Sequence, residues 1–261
     1  MRLPIYQVDA FTGRLFGGNP AAVIPLERWV PDAVMQAIAA ENNLAETAFF
    51  VPEGDGYGLR WFTPTVEVDL CGHATLASAY VVFRFLAPQR EQVDFRTLKA
   101  GTLRVKRQGD ALAMDFPARP PEKVSAPAGL AEALGKAPAE VWAARDYLAV
   151  YERPEEVAAL TPDFAALSRL DRFAVIVTAP GRDGVDFVSR FFAPAQGIAE
   201  DPVTGSSHCT LTPYWAKRLG KKTLAAQQIS ARGGELTCTD AGDRVVIAGR
   251  CVLYLEGAIA V

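Results

Sequence analysis

The chain repeats itself. Arg60-Trp61-Phe62-Thr63-Pro64 is echoed by Arg190-Phe191-Phe192-Ala193-Pro194. Further on, a glycine opens a helix-like stretch in each half: Gly72-His73-Ala74 in the first and Gly205-Ser206-Ser207 in the second, 133 residues apart. The same spacing relates Gly101-Thr102-Leu103 to Gly234-Glu235-Leu236 and Gly109-Asp110 to Gly242-Asp243. Any one match could be a coincidence of turn glycines. Four in one order, three at one spacing, are better explained by duplication. A duplicated chain folds into two similar lobes, and 261 residues supply two of roughly 100–150 each.

Each half reads as strands, a helix, then more strands. In the first, Tyr6 to Phe11 and Ala21 to Ile24 are strands around a Gly17-Gly18-Asn19-Pro20 turn. Pro31 and Asp32 start a helix with Val30, Val34 and Ile38 on one face, ended by Asn42-Asn43, and Glu46 to Val51 is the next strand. The stretch from Ala74 to Leu86 is apolar nearly all round, which predicts a fully buried helix. Such a helix needs strands on several sides, so the sheet should curve around it. Phe95 to Val105 and Ala111 to Phe116 then form a hairpin turning at Gly109-Asp110. The second half repeats the plan, with strands Phe173 to Thr178 and Asp186 to Phe192, an inner helix Ser206 to Leu219, and a strand-rich stretch from Leu224 to Val252.

The expected fold class is therefore α/β of the α+β kind: two pseudo-symmetric lobes, each a barrel-like, mostly antiparallel sheet around a central helix. The lobes are placed at 1–117 and 128–255, joined by a linker from Pro117 to Pro127, because prolines cannot continue either sheet. The tail, residues 256–261, is free to add a strand to the first lobe.

Composition removes several function classes. A net charge of −3 without long basic runs argues against a nucleic-acid surface. The N-terminus lacks the apolar stretch of a signal peptide, and the apolar segment from Ala74 stops at Arg84, too short for a bilayer. Cys71, Cys209, Cys238 and Cys251 show no CxxC or disulfide-framework spacing, so a reducing cytoplasm is expected.

Polar residues gather at the two glycine-led helix starts. A helix N-terminus presents unpaired backbone N–H groups and the positive end of the helix dipole, a natural anion site. If the lobes face each other, both starts point into one cleft and hold a small carboxylate between them. The first start has Asp69, Cys71 and His73; the second has Glu200, Asp201, Thr204, Ser206, Ser207, His208 and Cys209. His73 is a candidate for catalysis or binding, or simply a helix residue bonded to backbone. Asp201 and Ser206 are candidates too, or only caps. Glu46, at a strand start, is unremarkable on its own, and His208 and Cys209 read as packing residues inside the helix.

Four segments in order carry a resemblance: Phe16-Gly17-Gly18-Asn19-Pro20-Ala21-Ala22-Val23, Asn43-Leu44-Ala45-Glu46-Thr47-Ala48-Phe49, Asp69-Leu70-Cys71-Gly72-His73-Ala74-Thr75-Leu76-Ala77 and Glu200-Asp201-Pro202-Val203-Thr204-Gly205-Ser206. Together they resemble the phenazine-biosynthesis (PhzF-like) isomerase family, over essentially the whole chain. The resemblance implies a fold similar to diaminopimelate epimerase, a cytoplasmic homodimer, and cofactor-independent isomerisation without metal, as in the family member acting on a dihydro-hydroxyanthranilate. It implies that Glu46 is the proton-transferring residue, supported by His73, Asp201 and Ser206, with Asn19 near the substrate and the helix starts at Gly72 and Gly205 binding its carboxylate. A partly buried glutamate beside a carboxylate should have a raised pKa and serve as acid and base near neutrality. Ser206 would be both helix cap and carboxylate ligand.

Other readings stay open. Cys71, just before Gly72, stands where a two-thiol racemase or epimerase of that fold has its first thiol, but the second lobe has no cysteine before Gly205. A zinc site from Cys71, His73, His208 and Cys209 lacks the usual structural spacing. A Ser206-His73-Asp201 hydrolase lacks the G-x-S-x-G elbow, and a non-catalytic carboxylate-binding protein is the last alternative.

Overall fold

The parallel strand pairs organise this fold, because each needs a crossover and each crossover is a helix. The computed structural model describes residues 1–261. In chain order the first elements are β1 (Arg2–Ala10), β2 (Asn19–Pro25), α1 (Asp32–Asn42), β3 (Glu46–Glu53), β4 (Gly56–Phe62), β5 (Glu67–Val68), α2 (Gly72–Val81), β6 (Gln92–Arg96), β7 (Thr102–Gln108) and β8 (Ala111–Pro117). Then come β9 (Glu122–Lys123), α3 (Leu130–Leu134), β10 (Glu140–Ala143), β11 (Tyr147–Val150), α4 (Pro154–Ala158), α5 (Phe164–Leu167), β12 (Val175–Pro180) and β13 (Phe187–Phe192). The chain closes with α6 (Gly205–Leu219), β14 (Thr223–Gln228), β15 (Gly234–Asp240), β16 (Arg244–Gly249) and β17 (Cys251–Ala260). No helix is long and apolar enough to cross a membrane.

The chain divides into two units: Met1–Asp115 with Ala248–Val261, and Phe116–Ile247. In the first, β1 is antiparallel to β2, β2 parallel to β3, β3 antiparallel to β4, β4 parallel to β6, and β6 antiparallel to β7. In the second, β10 is antiparallel to β11, β11 parallel to β12, β12 antiparallel to β13, β13 parallel to β14, and β14 antiparallel to β15. The two series are the same. Helix α1 bridges the first parallel pair of its unit and α2 the second, while α4 with α5 and then α6 do so in the other.

The repeated sequence motifs have matching structural work. Arg60 in β4 makes a bidentate pair with Glu67, both bonds 2.7 Å, and its guanidinium lies 5.2 Å over Phe62. Arg190 in β13 pairs with Glu200 at 2.8 and 2.9 Å and lies 4.9 Å over Phe192. Each acid belongs to the segment leading into an inner helix, so each arginine fastens that segment to its strand. Gly109 and Gly242 turn with φ of +62° and +85°, a region that disfavours any side chain.

Helix α2 is buried at every residue except Gly72 and Tyr80, which are partly buried. It packs on β1, β2, β3 and β17. Its buried hydroxyls are satisfied by back-bonding within the helix: Thr75 donates to the Cys71 carbonyl at 2.6 Å and Ser78 to that of Ala74 at 2.7 Å. In α6, Trp215 stacks on Phe187 at 5.7 Å and donates from Nε1 to Thr178 Oγ1 at 3.0 Å. Pro213 sits inside α6 and has no N–H for the Cys209 carbonyl one turn back. That carbonyl instead accepts from Arg119 N at 2.8 Å, so the helix is tied to the segment at 119.

Several expectations need correcting. The segment from Pro117 to Pro127 is no free linker: β9 within it pairs with β10, and the segment belongs to the second unit. Residues 248–255, placed in the second lobe from sequence, belong to the first, because β17 runs along β1 from Ala260 opposite Arg2 to Cys251 opposite Ala10. The supposed strand from Phe95 to Val105 is two antiparallel strands, turned by Gly101 at φ +72°. The helix expected to reach Leu86 is α-helical only to Val81 and continues as a π-helical turn over Val82–Leu86.

Candidate active site

The start of α2 carries the first cluster. Cys71 is its N-cap residue in extended backbone, φ −139° and ψ 109°, and Gly72 opens the helix. His73, one residue on, turns its ring between two partners. Nε2 is 3.0 Å from Glu46 Oε2, and Nδ1 is 3.5 Å from Cys71 Sγ. Glu46 reaches this place because Asn43 ends α1 in the left-handed conformation, φ 49°, with its N–H donating to Ala39 O. That reversal starts β3 at Glu46, in parallel register with Ala21 of β2, and Asn42 Nδ2 donates to Thr47 Oγ1 at 3.1 Å to hold it. Asparagine suits the left-handed position at a helix end.

Asn19 is fully buried and lies two residues before Ala21, the partner of Glu46, so both side chains belong to one face of the sheet. The residue before it has to be glycine. Gly18 has φ +63°, and a Cβ there would lie 2.1 Å from the Ala10 carbonyl oxygen.

Glu46, Cys71 and His73 are 9%, 6% and 6% exposed, enough for one small edge of the cluster to meet solvent. Burial alone would push the Glu46 carboxyl up. The charge of His73 and hydrogen bonds from His73 and Cys71 outweigh it, so its pKa is lowered. The sequence expectation of a raised value concerned the site with a substrate carboxylate beside Glu46. For His73, burial works against the charged form, but Cys71 and Glu46 raise its pKa well above the usual 6.5. Burial, then the charge of Glu46, push the Cys71 thiol up to about 11. Both directions favour the charged forms, carboxylate at Glu46 and imidazolium at His73.

The start of α6 carries a different set. Its N-cap is Thr204, also extended at φ −116° and ψ 102°. Thr204 Oγ1 donates to Asp201 Oδ2 at 2.5 Å, and Thr204 N donates to Gln228 Oε1 at 2.9 Å. Gln228 Nε2 returns to the Asp201 carbonyl at 2.8 Å, which locks the turn. Ser206 is the second helical residue, after Gly205, and not the cap expected from sequence. Its Oγ accepts from Arg145 Nη2 at 3.3 Å. Arg145 in turn makes two 2.9 Å bonds to the fully buried Asp146 and lies 4.3 Å over the Phe173 ring. A rigid cation thus stands beside the Ser206 hydroxyl.

His208 is buried, and its Nδ1 donates to the Thr204 carbonyl at 2.8 Å. Burial lowers its pKa to about 4, so it is neutral. Cys209 is buried with its thiol pushed up to about 11. Both serve packing and the helix start. The four-residue zinc site weighed from sequence is therefore not assembled around His73, whose neighbours are Glu46 and Cys71. Those three residues place one nitrogen, one sulfur and one oxygen within 4.8 Å of one another, a donor set that could hold a metal ion.

Of the residues named from sequence, Glu46 and His73 touch, with Gly72 between His73 and the cap. Asp201, Gly205 and Ser206 share one turn of the second unit. The contact of Cys71 with His73 was legible only as an i, i+2 spacing at a helix cap. Arg145 was missed. Its only signal was position, since Arg145-Asp146 lies between the first two paired strands of the second series as Gly17-Gly18 does in the first.

The chain is also similar to known proteins. The family model for phenazine biosynthesis-like proteins matches residues 8–257. An uncharacterized isomerase of Pseudomonas aeruginosa is 54% identical over 259 residues, covering 99% of each chain. A crystal structure of a phenazine biosynthesis protein of the PhzF family from Enterococcus faecalis superposes with a TM-score of 0.97 at 50% identity, covering 100% of both chains. A hydroxyproline epimerase from Agrobacterium vitis shares the fold alone, with a TM-score of 0.61 at 11% identity over 99% of this chain and 92% of that one. With the motif segments, the repeated pairing series and a family model spanning nearly its whole length, this chain belongs to the phenazine biosynthesis-like family.

Proposed function

We propose that the protein is a cofactor-independent isomerase that moves a proton between two carbons of a small carboxylate-bearing metabolite, cyclic or amino acid-like. The observation carrying this reading is the 3.0 Å contact of Glu46 with His73 in a cluster nearly closed to solvent. Catalytic carboxylates of this kind need a partner that fixes their geometry and a site that excludes bulk water.

In the resting enzyme Glu46 is the base, held ionised by imidazolium His73. It takes a proton from a carbon acidified by the neighbouring unsaturation or carboxylate. As Glu46 becomes neutral, His73 loses its counter-ion and its charge turns to the electron-rich substrate. Glu46 then returns the proton to a different carbon. The start of each inner helix offers backbone N–H groups suited to a carboxylate, at Gly72-His73 in one unit and at Gly205-Ser206 in the other, the latter with the Ser206 hydroxyl as a further donor. Because Arg145 donates to Ser206 Oγ, the hydroxyl proton of Ser206 is free to point at an anion. Asp201 holds the Thr204 cap, a positioning role, and Asn19 shapes the floor beside Glu46. The relatives named as isomerases support this reading, and the implied homodimer is part of the same proposal, to be checked by light scattering.

The test is hydrogen exchange. Small cyclic and amino carboxylates, a dihydro-hydroxyanthranilate first among them, are incubated with enzyme in D2O and followed by NMR. Deuterium should enter at two carbons of a substrate, with wild type and not with Glu46→Gln. Exchange that persists in Glu46→Gln but is lost in Cys71→Ser favours the second reading, a thiol-dependent epimerase, for which the 3.5 Å contact of Cys71 with His73 is the specific support. Thr204 at the other helix cap leaves that reading without its second thiol.

A further inference from the structure

We propose that Glu46, Cys71 and His73 form a zinc site, and that a zinc ion held there switches the proposed isomerase off. The second half of this statement rests on the role given to Glu46 above; the first half stands on geometry. A tetrahedral zinc ion with bonds of about 2.0 Å to nitrogen and oxygen and about 2.3 Å to sulfur separates N and O donors by about 3.3 Å and sulfur from either by about 3.6 Å. Here His73 Nε2 lies 3.0 Å from Glu46 Oε2 and 4.0 Å from Cys71 Sγ, and the three donors fall within 4.8 Å of one another. Side-chain rotations of about an ångström convert this cluster into a three-ligand site of the kind that leaves a fourth position open.

The chemistry of the three donors fits the same ion. One thiolate, one imidazole and one carboxylate are borderline ligands that zinc takes in preference to calcium or magnesium, whose sites are all oxygen. Charge fits as well. Zinc takes the thiol as thiolate and the imidazole neutral, any displaced protons going to solvent, so the bound dication with one thiolate and one carboxylate is neutral and burial penalises it little. All three donors are anchored: Glu46 by the start of β3, and Cys71 and His73 by the first turn of α2. Once Glu46 is a zinc ligand its carboxylate no longer takes a proton from carbon, so metal and turnover exclude each other.

The full-length protein, freed of metal, is titrated with Zn2+ by calorimetry and with Co2+ by absorption spectroscopy, without substrate. One ion per chain should bind, and cobalt should show a thiolate-to-metal charge-transfer band. Cys71→Ser should remove that band, although Cys209, Cys238 and Cys251 remain. It should weaken zinc by at least the ~10–100-fold that loss of even an outer-shell partner costs. Asp69→Asn, an exposed acid paired with Lys99, should leave zinc binding unchanged. Because the ligands bind in their deprotonated forms, affinity should rise from about pH 6 to pH 8.

Zinc should then abolish deuterium exchange over the same concentration range, and a chelator should restore it. The inference is overturned if binding is not stoichiometric, if the cobalt band survives in Cys71→Ser, if Asp69→Asn weakens binding, or if saturating zinc leaves exchange intact. A protein that binds zinc by these criteria yet exchanges no carboxylate condemns the isomerase reading alone. Glu46-dependent exchange indifferent to zinc condemns this one alone.

Discussion

At the start of α2 the cap is Cys71 and His73 follows the glycine; at the start of α6 the same places hold Thr204 and Ser206. The backbones are alike: an extended cap, a glycine, then a buried helix. The side chains differ in kind. The first start is surrounded by groups that change protonation state, Glu46, His73 and Cys71. The second is lined by hydroxyls and an amide, Thr204, Ser206 and Gln228, with Asp201 and Arg145 bonded to them and His208 held neutral. Anion binding asks only for donors, which both copies retain from the duplicated backbone. Proton transfer asks for groups with two accessible states held together, and the first copy gathers three in contact.

The comparison can be broken most sharply at Glu46. Glu46→Gln keeps size and hydrogen bonding but holds no exchangeable acid proton, and turnover should fall about 10²-fold or more, the scale of losing a general acid–base group. Binding of an inert carboxylic acid, read by calorimetry, should change far less. A variant that turns over normally would erase the proposed division of labour.

Arg145 and Ser206 test the other side. Ser206→Ala should weaken binding of the same inert acid by roughly 10-fold, matching about 1.5 kcal/mol for a hydrogen bond to a charged group, with a smaller effect on the chemical step. Arg145→Gln should move binding in the same direction, since it frees Ser206 to rotate and leaves the buried Asp146 without its partner. A large fall in kcat with unchanged affinity in either variant would place the second start in the chemistry.

Cys71→Thr makes the first cap resemble the second. With the thiol only orienting His73, turnover should fall by no more than about tenfold, within the range of one neutral hydrogen bond. A loss comparable to that of Glu46→Gln would move the thiol mechanism to first place.

The smallest effect concerns pH and stability. His73 has a raised pKa in the folded chain, so its contribution is complete below the ordinary 6.5 and is lost as pH rises through the raised value. Glu46 has a lowered pKa, so its contribution is complete above the ordinary 4.5 and is lost as pH falls through the lowered value. The denaturation midpoint of wild type relative to Glu46→Gln should therefore be highest between these two ordinary values and should narrow on both sides. A difference independent of pH would mean that no ion pair forms.

Much of this molecule was written in its one-dimensional pattern. The 133-residue spacing fixed the duplication, and the all-round apolar character of the α2 stretch fixed a buried helix, because burial acts on side chains the sequence states outright. The glycines at 72 and 205 marked both helix starts for a local backbone reason, and the motif segments singled out Glu46, which composition alone would have left as a solvated strand-start acid. What folding decided was neighbourhood. The direction of the Glu46 shift depended on a histidine 27 residues away arriving at 3.0 Å, a contact no local pattern encodes. The tail's place along β1 and the pairing of β9 with β10 were decided by which open strand edge lay within reach, a property of the assembled sheet. Arg145 became part of the second helix start only because a buried aspartate and an aromatic ring aimed it there, and such aim exists only in three dimensions.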